Sequence, residues 1–174
     1  MEQTSLYRVP EDSAIEVAIF ACGCFWGAQY QFSRQRGVLN TIVGYTGGPE
    51  EFPTYAQVKA HNTGHVEAVI VEYNPSEVSY ETLCRLFFEI HDPAQTDGIG
   101  PDLGPQYRSC IFYRNEAQRL TAEKTIGLLR DKGFEVNTKL LPEEKFYIGE
   151  EYHQHYYEKT GGEPYCHIRV KKFD

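Results

Sequence analysis

The sequence predicts an α/β (α+β) fold: a two-layer sandwich of a mixed β-sheet with helices packed mainly on one face. Three observations point there. Short β-branched apolar runs at residues 16–21 and 38–45 are separated by a segment with helical spacing, so strands and helices interleave. The elements read β-α-β-β-α-β-α-β, an order that calls for helices laid on a sheet. The 174 residues contain no repeat, low-complexity stretch or splitting linker, which suits a single domain over 1–174 with a core at about 16–157 and a tail at 158–174.

Each element has its own reason. Residues 16–21 (EVAIFA) are apolar and β-branched, hence a strand. From Phe25 to about Arg36, Phe25, Ala28, Gln29 and Phe32 recur at helical spacing, and Gly37 ends the run. A second strand at 38–45 is closed by Thr46-Gly47-Gly48-Pro49. A polar connection follows, with one helical turn at 55–60. Residues 66–73 alternate as a strand, with Val66, Ala68 and Ile70 set against Glu67, Val69 and Val71. Residues 79–91 form a helix with Leu83, Leu86, Phe87 and Ile90 on one face. The glycine- and proline-rich stretch 92–106 reads as a loop, and long loops of this kind tend to be functional. Residues 108–113 form a strand. A long helix over 115–132 has Asn115 as N-cap, Gln118 three residues on and Gly133 at its end. A last core strand is predicted at 134–140 and a short helix at 150–159. Residues 165–170 read as either a strand or an irregular tail.

Composition narrows the function. A net charge of −8 and a pI near 5.3 argue against a nucleic-acid or anionic-membrane surface, and only Lys171 and Lys172 are paired basic residues. No apolar stretch approaches the roughly 20 residues needed to span a bilayer. The first residues show neither the basic start nor the apolar core of a signal peptide. The expectation is a soluble cytoplasmic protein, with a domain cut from a larger exported protein as the open alternative. Five cysteines (Cys22, Cys24, Cys84, Cys110 and Cys166) make an odd count. In a reducing compartment that means free thiols, metal ligands or redox chemistry. Methionine occurs only at position 1, which fits an oxidant-handling role and chance alike.

The chemistry centres on ACGCFWGAQ, where the only tryptophan, Trp26, stands beside a thiol between two glycines. Cys24 falls where a strand gives way to a helix. A helix N-terminus carries unpaired N–H groups and about half a positive charge, which stabilises a thiolate. Gly23 permits the sharp turn, and Gly27 admits a close approach of backbone or ligand. Phe25 and Trp26 can wall an apolar pocket that suits a sulfur-bearing group. The plainer reading of a lone cysteine is a small core residue; the flanking glycines and the Phe-Trp pair favour a reactive one. The residues alone leave other readings open. Cys22, Cys24, Cys166, His153, His155 and His167 could ligate a metal, though no Cys-x-x-Cys pair is present. A Cys–His hydrolase, a thiol peroxidase or a non-enzymatic binding domain built on the aromatic pocket would also fit.

GCFWG (23–27), together with GYTGG (44–48), PTY (53–55), GHVEAV (64–69), HDPAQ (91–95), DLGPQYRS (102–109) and EEYHQHY (150–156), resembles the type A peptide methionine sulfoxide reductases. The motifs occur in order and cover about residues 18–157. The resemblance implies thiol-dependent reduction of the S-epimer of methionine sulfoxide, free or in oxidised proteins, on an α/β sandwich, with no metal or organic cofactor. It makes Cys24 the nucleophile and Glu67 the acid that protonates the departing oxygen. It makes Tyr55 and Tyr107 donors to that oxygen, and Asp102 a further active-site acid. Phe25, Trp26 and His153 become the substrate-binding set, with Gln154 in support. The sulfenic acid left on Cys24 would condense with a second thiol, and a thioredoxin-like reductant would reopen the disulfide. Cys166 is the candidate resolving cysteine. The chain departs here from the longer-tailed pattern, because no cysteine or glycine-rich run follows Cys166 and HIRVKK can form a strand. Cys22 is a second candidate, although a disulfide across one residue is strained. Cys22, Cys84 and Cys110 read as packing residues.

Overall fold

A computed structural model describes residues 4–60, 63–96, 98–99, 102–162, 164 and 167–173, with backbone alone at 98, 99, 102, 103 and 105. The strands are β1 (Ser5–Leu6), β2 (Glu16–Cys22), β3 (Val38–Thr46), β4 (Val66–Tyr73), β5 (Gly98–Ile99), β6 (Asp102–Leu103), β7 (Ser109–Tyr113), β8 (Lys139–Pro142) and β9 (Phe146–Ile148). The helices are α1 (Phe25–Ser33), α2 (Tyr55–Lys59), α3 (Tyr80–Glu89), α4 (Glu116–Asp131) and α5 (Tyr156–Thr160). Seven strands form one sheet in the order β1-β9-β3-β4-β2-β7-β8, and β5 pairs with β6 apart from it. Every pair in the large sheet is antiparallel except β7–β8, which is parallel and joined through α4. The sheet is therefore mixed, as the element order predicts.

Period-two alternation sorts the strand side chains onto two unlike faces. Ala18, Phe20, Val69, Val71 and Tyr73 share a core with Phe25, Phe32, Leu83, Phe87, Ala122 and Leu129 from α1, α3 and α4. The Phe20 ring is the fastener, stacked between Phe32 of α1 at 5.0 Å and Phe87 of α3 at 5.2 Å. Each such buried side chain contributes about 1.5–3 kcal/mol. The other face gathers Val17, Ile19, Ala21, Val66, Ala68, Ile70, Cys110, Phe112 and Phe146, and among the described residues its cluster includes none from a helix. Tyr7 covers part of it, with its N–H donating to the Phe146 carbonyl and its ring edge-on to Phe146.

The structure departs from the sequence expectation at several elements. Residues 66–73 do not alternate between core and solvent: β4 lies between β3 and β2 and is buried along its whole length. In place of the predicted core strand at 134–140 stands β8, an edge strand whose side chains are exposed apart from Leu140, which packs against the core. The preceding residues are drawn away, since Asn137 donates from its backbone to the Pro93 carbonyl and from its side chain to that of Ala94. The helix expected over 150–159 is broken into a 3-10 turn (Glu151–His153) and α5 by His155, whose φ is 53°. Gln154 causes the break by acting as a stand-in sheet partner. Its amide accepts from the Val43 N–H and donates to the Val43 and Gly149 carbonyls. The sequence predicts none of the short strands β1, β5, β6 and β9, which are too brief to show periodicity, and β5 and β6 pair within the stretch 92–106 expected to be a loop.

Candidate active site

Cys24 is the N-cap residue of α1, reached from β2 through Gly23 at φ 96°, a conformation that a residue with a Cβ adopts only under strain. It is 7% exposed. The thiol thus stands at the positive end of a helix, as its place between strand and helix predicts. Glu67 reaches the same turn from β4. Its side chain lies on the helix side of the sheet, and Oε1 accepts the Phe25 N–H at 3.3 Å. The residue is 2% exposed, so a solvent-facing role for this carboxylate is ruled out by the fold.

The aromatic residues form a cluster rather than a simple wall. Phe25 is buried, with Tyr45 at 5.6 Å, Tyr55 at 6.4 Å and His153 at 5.1 Å between ring centroids. Trp26 is only partly buried and stacks on Tyr156 at 3.8 Å. Its indole Nε1–H donates to His153 Nδ1 at 2.9 Å. An indole only donates, so Nδ1 must hold a lone pair, and neutral His153 carries its proton on Nε2. Tyr55 begins α2 and meets the His153 ring edge-on at 4.3 Å. Tyr107 ends a 3-10 turn (Pro105–Tyr107) that packs against β4. The Asp102 backbone pairs with Ile99 beside that turn, and its side chain lies outside the described residues. Cys166 also lies outside them.

Two participants were not singled out from sequence. Glu150 is buried and accepts from the Tyr45 hydroxyl at 2.9 Å and from the Tyr55 N–H at 2.9 Å. It therefore ties the start of α2 to the sheet. Tyr45 lies opposite Glu67 in the β3–β4 register. Burial first, then the charge and hydrogen bond of Glu150, then the charge of Glu67, raise the Tyr45 pKa far above the ordinary phenol value, so it remains a neutral donor. Both belong to motifs visible in the chain, GYTGG and EEYHQHY, but neither residue type signals a role by itself.

The other thiols among the described residues pack. Cys22, Cys84 and Cys110 are buried. Burial raises the Cys84 pKa strongly and pushes that of Cys110 up to about 11, both away from thiolate character. Among the described residues no three His, Cys, Asp or Glu side chains are grouped to hold a metal ion, and no helix is long and apolar enough to cross a membrane. Two of the histidines considered as ligands have nitrogens engaged elsewhere: His153 by Trp26 and His167 by the Cys22 carbonyl.

The sequence model described as Peptide methionine sulfoxide reductase matches residues 16–174. The peptide methionine sulfoxide reductase MsrA of Methanosarcina acetivorans is 45% identical over 163 residues, covering 92% of this chain and 86% of that protein. The crystal structure of Mxr1 from Saccharomyces cerevisiae in reduced form matches with a TM-score of 0.86 at 31% identity, covering 94% of this chain and 96% of the yeast chain. A structure of Mxr1 in complex with Trx2 matches with a TM-score of 0.63 at 22% identity, covering 95% and 96%.

Proposed function

Because the chain belongs to the peptide methionine sulfoxide reductase family, we propose that it reduces the S-epimer of methionine sulfoxide, free or in oxidised proteins, with Cys24 as the nucleophile. The observation that carries this reading is the Phe25 N–H to Glu67 hydrogen bond, which brings a buried carboxyl to the turn that holds the thiol. The Cys24 thiolate, favoured by the helix N-terminus, attacks the sulfoxide sulfur. The oxygen is a poor leaving group until protonated, and Glu67 in its protonated form supplies the proton. Tyr55 and Tyr107 donate to the oxygen as charge develops on it, with Asp102 orienting polar partners. Trp26, fixed by His153 and Tyr156, holds the methyl group, while Phe25 supports the pocket from beneath.

The first half-reaction moves the oxygen from substrate to Cys24, giving methionine and a sulfenic acid. Cys166 then attacks the Cys24 sulfur, forming a disulfide and releasing water. A thioredoxin-like dithiol restores both thiols, and the Trx2 complex of the yeast relative supports that choice of reductant. The odd cysteine count and the need for a dithiol favour a cytoplasmic setting. The test is to incubate the reduced protein with each epimer separately, measure methionine, and map thiols by mass spectrometry. The S-epimer alone should yield methionine, with Cys24 converted to a disulfide. Turnover that survives Cys24→Ser, or equal use of both epimers, would sink the reading.

A further inference from the structure

The chain from His167 to Phe173 has no regular structure, yet it is fastened at two separate places. His167 is fully buried, and its Nε2–H donates to the carbonyl of Cys22 at 2.6 Å, at the end of the strand that leads into Cys24. Its ring lies on Gly27, where an added Cβ would come within 2.2 Å of Nδ1. The second glycine of GCFWG is therefore small to admit the tail. Gln31 of the same helix donates to the His167 carbonyl at 2.6 Å.

The second fastening is at the end of α3. Glu89, 2% exposed, accepts from Arg169 Nε at 2.9 Å and from the N–H groups of Lys172 at 3.0 Å and Phe173 at 3.4 Å. Its backbone carbonyl accepts the Val170 N–H at 2.7 Å. Lys172 Nζ donates to the Phe88 and His91 carbonyls. Burial works against the Glu89 charge, but these donors outweigh it and hold the carboxyl below its usual range. Ile168 and Val170 do not hold the segment, being 69% and 58% exposed, and its one apolar anchor is Phe173, which packs against the core beneath Arg85. Directional polar bonds fix register where burial alone would let a segment slide.

Cys166 directly precedes His167 in the sequence. We propose that His167 and the Glu89–Arg169–Lys172 clamp form a positioning device for the resolving step, fixing the register of the tail so that Cys166 is delivered to the Cys24 sulfenic acid. This rests on Cys166 being the resolving thiol. In that step the Cys166 thiolate attacks the Cys24 sulfur. The S–S bond forms, the S–O bond breaks, and the departing hydroxide takes up a proton to leave as water. A tethered thiol replaces a bimolecular encounter by an intramolecular one, whose advantage depends on where the tether is held.

The experiment mixes reduced full-length protein with S-methionine sulfoxide in the absence of reductant. It follows methionine release, loss of free thiols, and trapping of sulfenic acid by dimedone. Arg169→Ala and Glu89→Gln should release the first methionine at the wild-type rate but close the disulfide about tenfold more slowly, with Cys24 trapped by dimedone. His167→Ala should slow disulfide closure more. Closure at the wild-type rate in all three variants would overturn the proposal. Cys166→Ser separates the two levels. If that variant still closes a disulfide to Cys24, the resolving role of Cys166 falls. If it cannot, while the clamp and His167 variants close normally, only the positioning role falls.

Discussion

Glu67 and Glu72 lie on the same central strand, both largely withdrawn from solvent, and face opposite sides of the sheet. Glu67 enters the helix layer, where a backbone N–H at the start of α1 meets it beside Cys24 and an aromatic cluster. Glu72 enters the face without helices, where the Tyr7 hydroxyl donates to one oxygen at 2.5 Å and the Asn40 amide to the other at 3.2 Å. Burial is common to both, so burial does not make an acid catalyst. The difference is the neighbour: a helix N-terminus bearing a thiol on one side, and two neutral donors that satisfy a structural carboxylate on the other.

Exchanging each carboxyl for an amide breaks or sharpens this contrast most directly. Glu67→Gln should lower the rate of the reductase step by about a hundredfold or more, within the usual range for a lost general acid. With only solvent left to supply the proton, the residual rate should fall further as pH rises. Alkylation of Cys24 by iodoacetamide should persist, since the helix N-terminus is untouched. Glu72→Gln should leave turnover within about twofold. Equal losses of activity in the two variants would show that the two faces do not divide catalysis from structure.

The helix side of this contrast was largely legible in the sequence. Asn115 caps α4 by accepting the Gln118 N–H, and the spacing of Phe25, Ala28 and Phe32 does place those residues in the core. Cys24 could be placed at a strand-to-helix turn because Gly23 and the apolar run before it are both local signals. Glu67 was legible only through its motif. Local sequence suggests a half-exposed strand residue, and what buries it is the pairing of β4 with β3 and β2, a non-local fact. Glu150 and Tyr45 were missed for the same reason, as their bond joins residues far apart in the chain. For the tail the sequence leaves a strand and an irregular segment both open, and the described residues 167–173 are irregular. In the fold its basic side chains bind Glu89 and carbonyls at the end of α3 instead of framing a sheet edge.

The next contrast lies within the helix face, between chemistry and binding. His153 holds Trp26 through a single nitrogen lone pair. His153→Phe keeps a ring of similar reach among Phe25, Tyr55 and Trp26 but leaves the indole N–H without its acceptor. An unmade buried hydrogen bond costs about 1–3 kcal/mol. If that cost falls on substrate binding, KM for methionine sulfoxide should rise by about tenfold while kcat changes less. Steady-state kinetics with saturating reductant would check it. A fall in kcat at constant KM would move His153 from the pocket wall into the chemical step.

The smallest effect on activity belongs to the opposite face. Burial first, and then the Glu72 hydrogen bond and charge, raise the Tyr7 pKa, so its phenol keeps the proton that it donates to Glu72. Tyr7→Phe retains the ring packed edge-on to Phe146 and removes only that donor. The abandoned carboxylate oxygen is then poorly solvated, and unfolding in urea should become easier by about 1–3 kcal/mol. The denaturant slope should stay unchanged, because the variant buries the same surface. The rate of methionine formation should remain within about twofold, because the sheet itself separates Tyr7 from Cys24. A variant that kept its stability but lost activity would mean that the helix-free face reaches the thiol through β4, and Glu72 would then belong with Glu67.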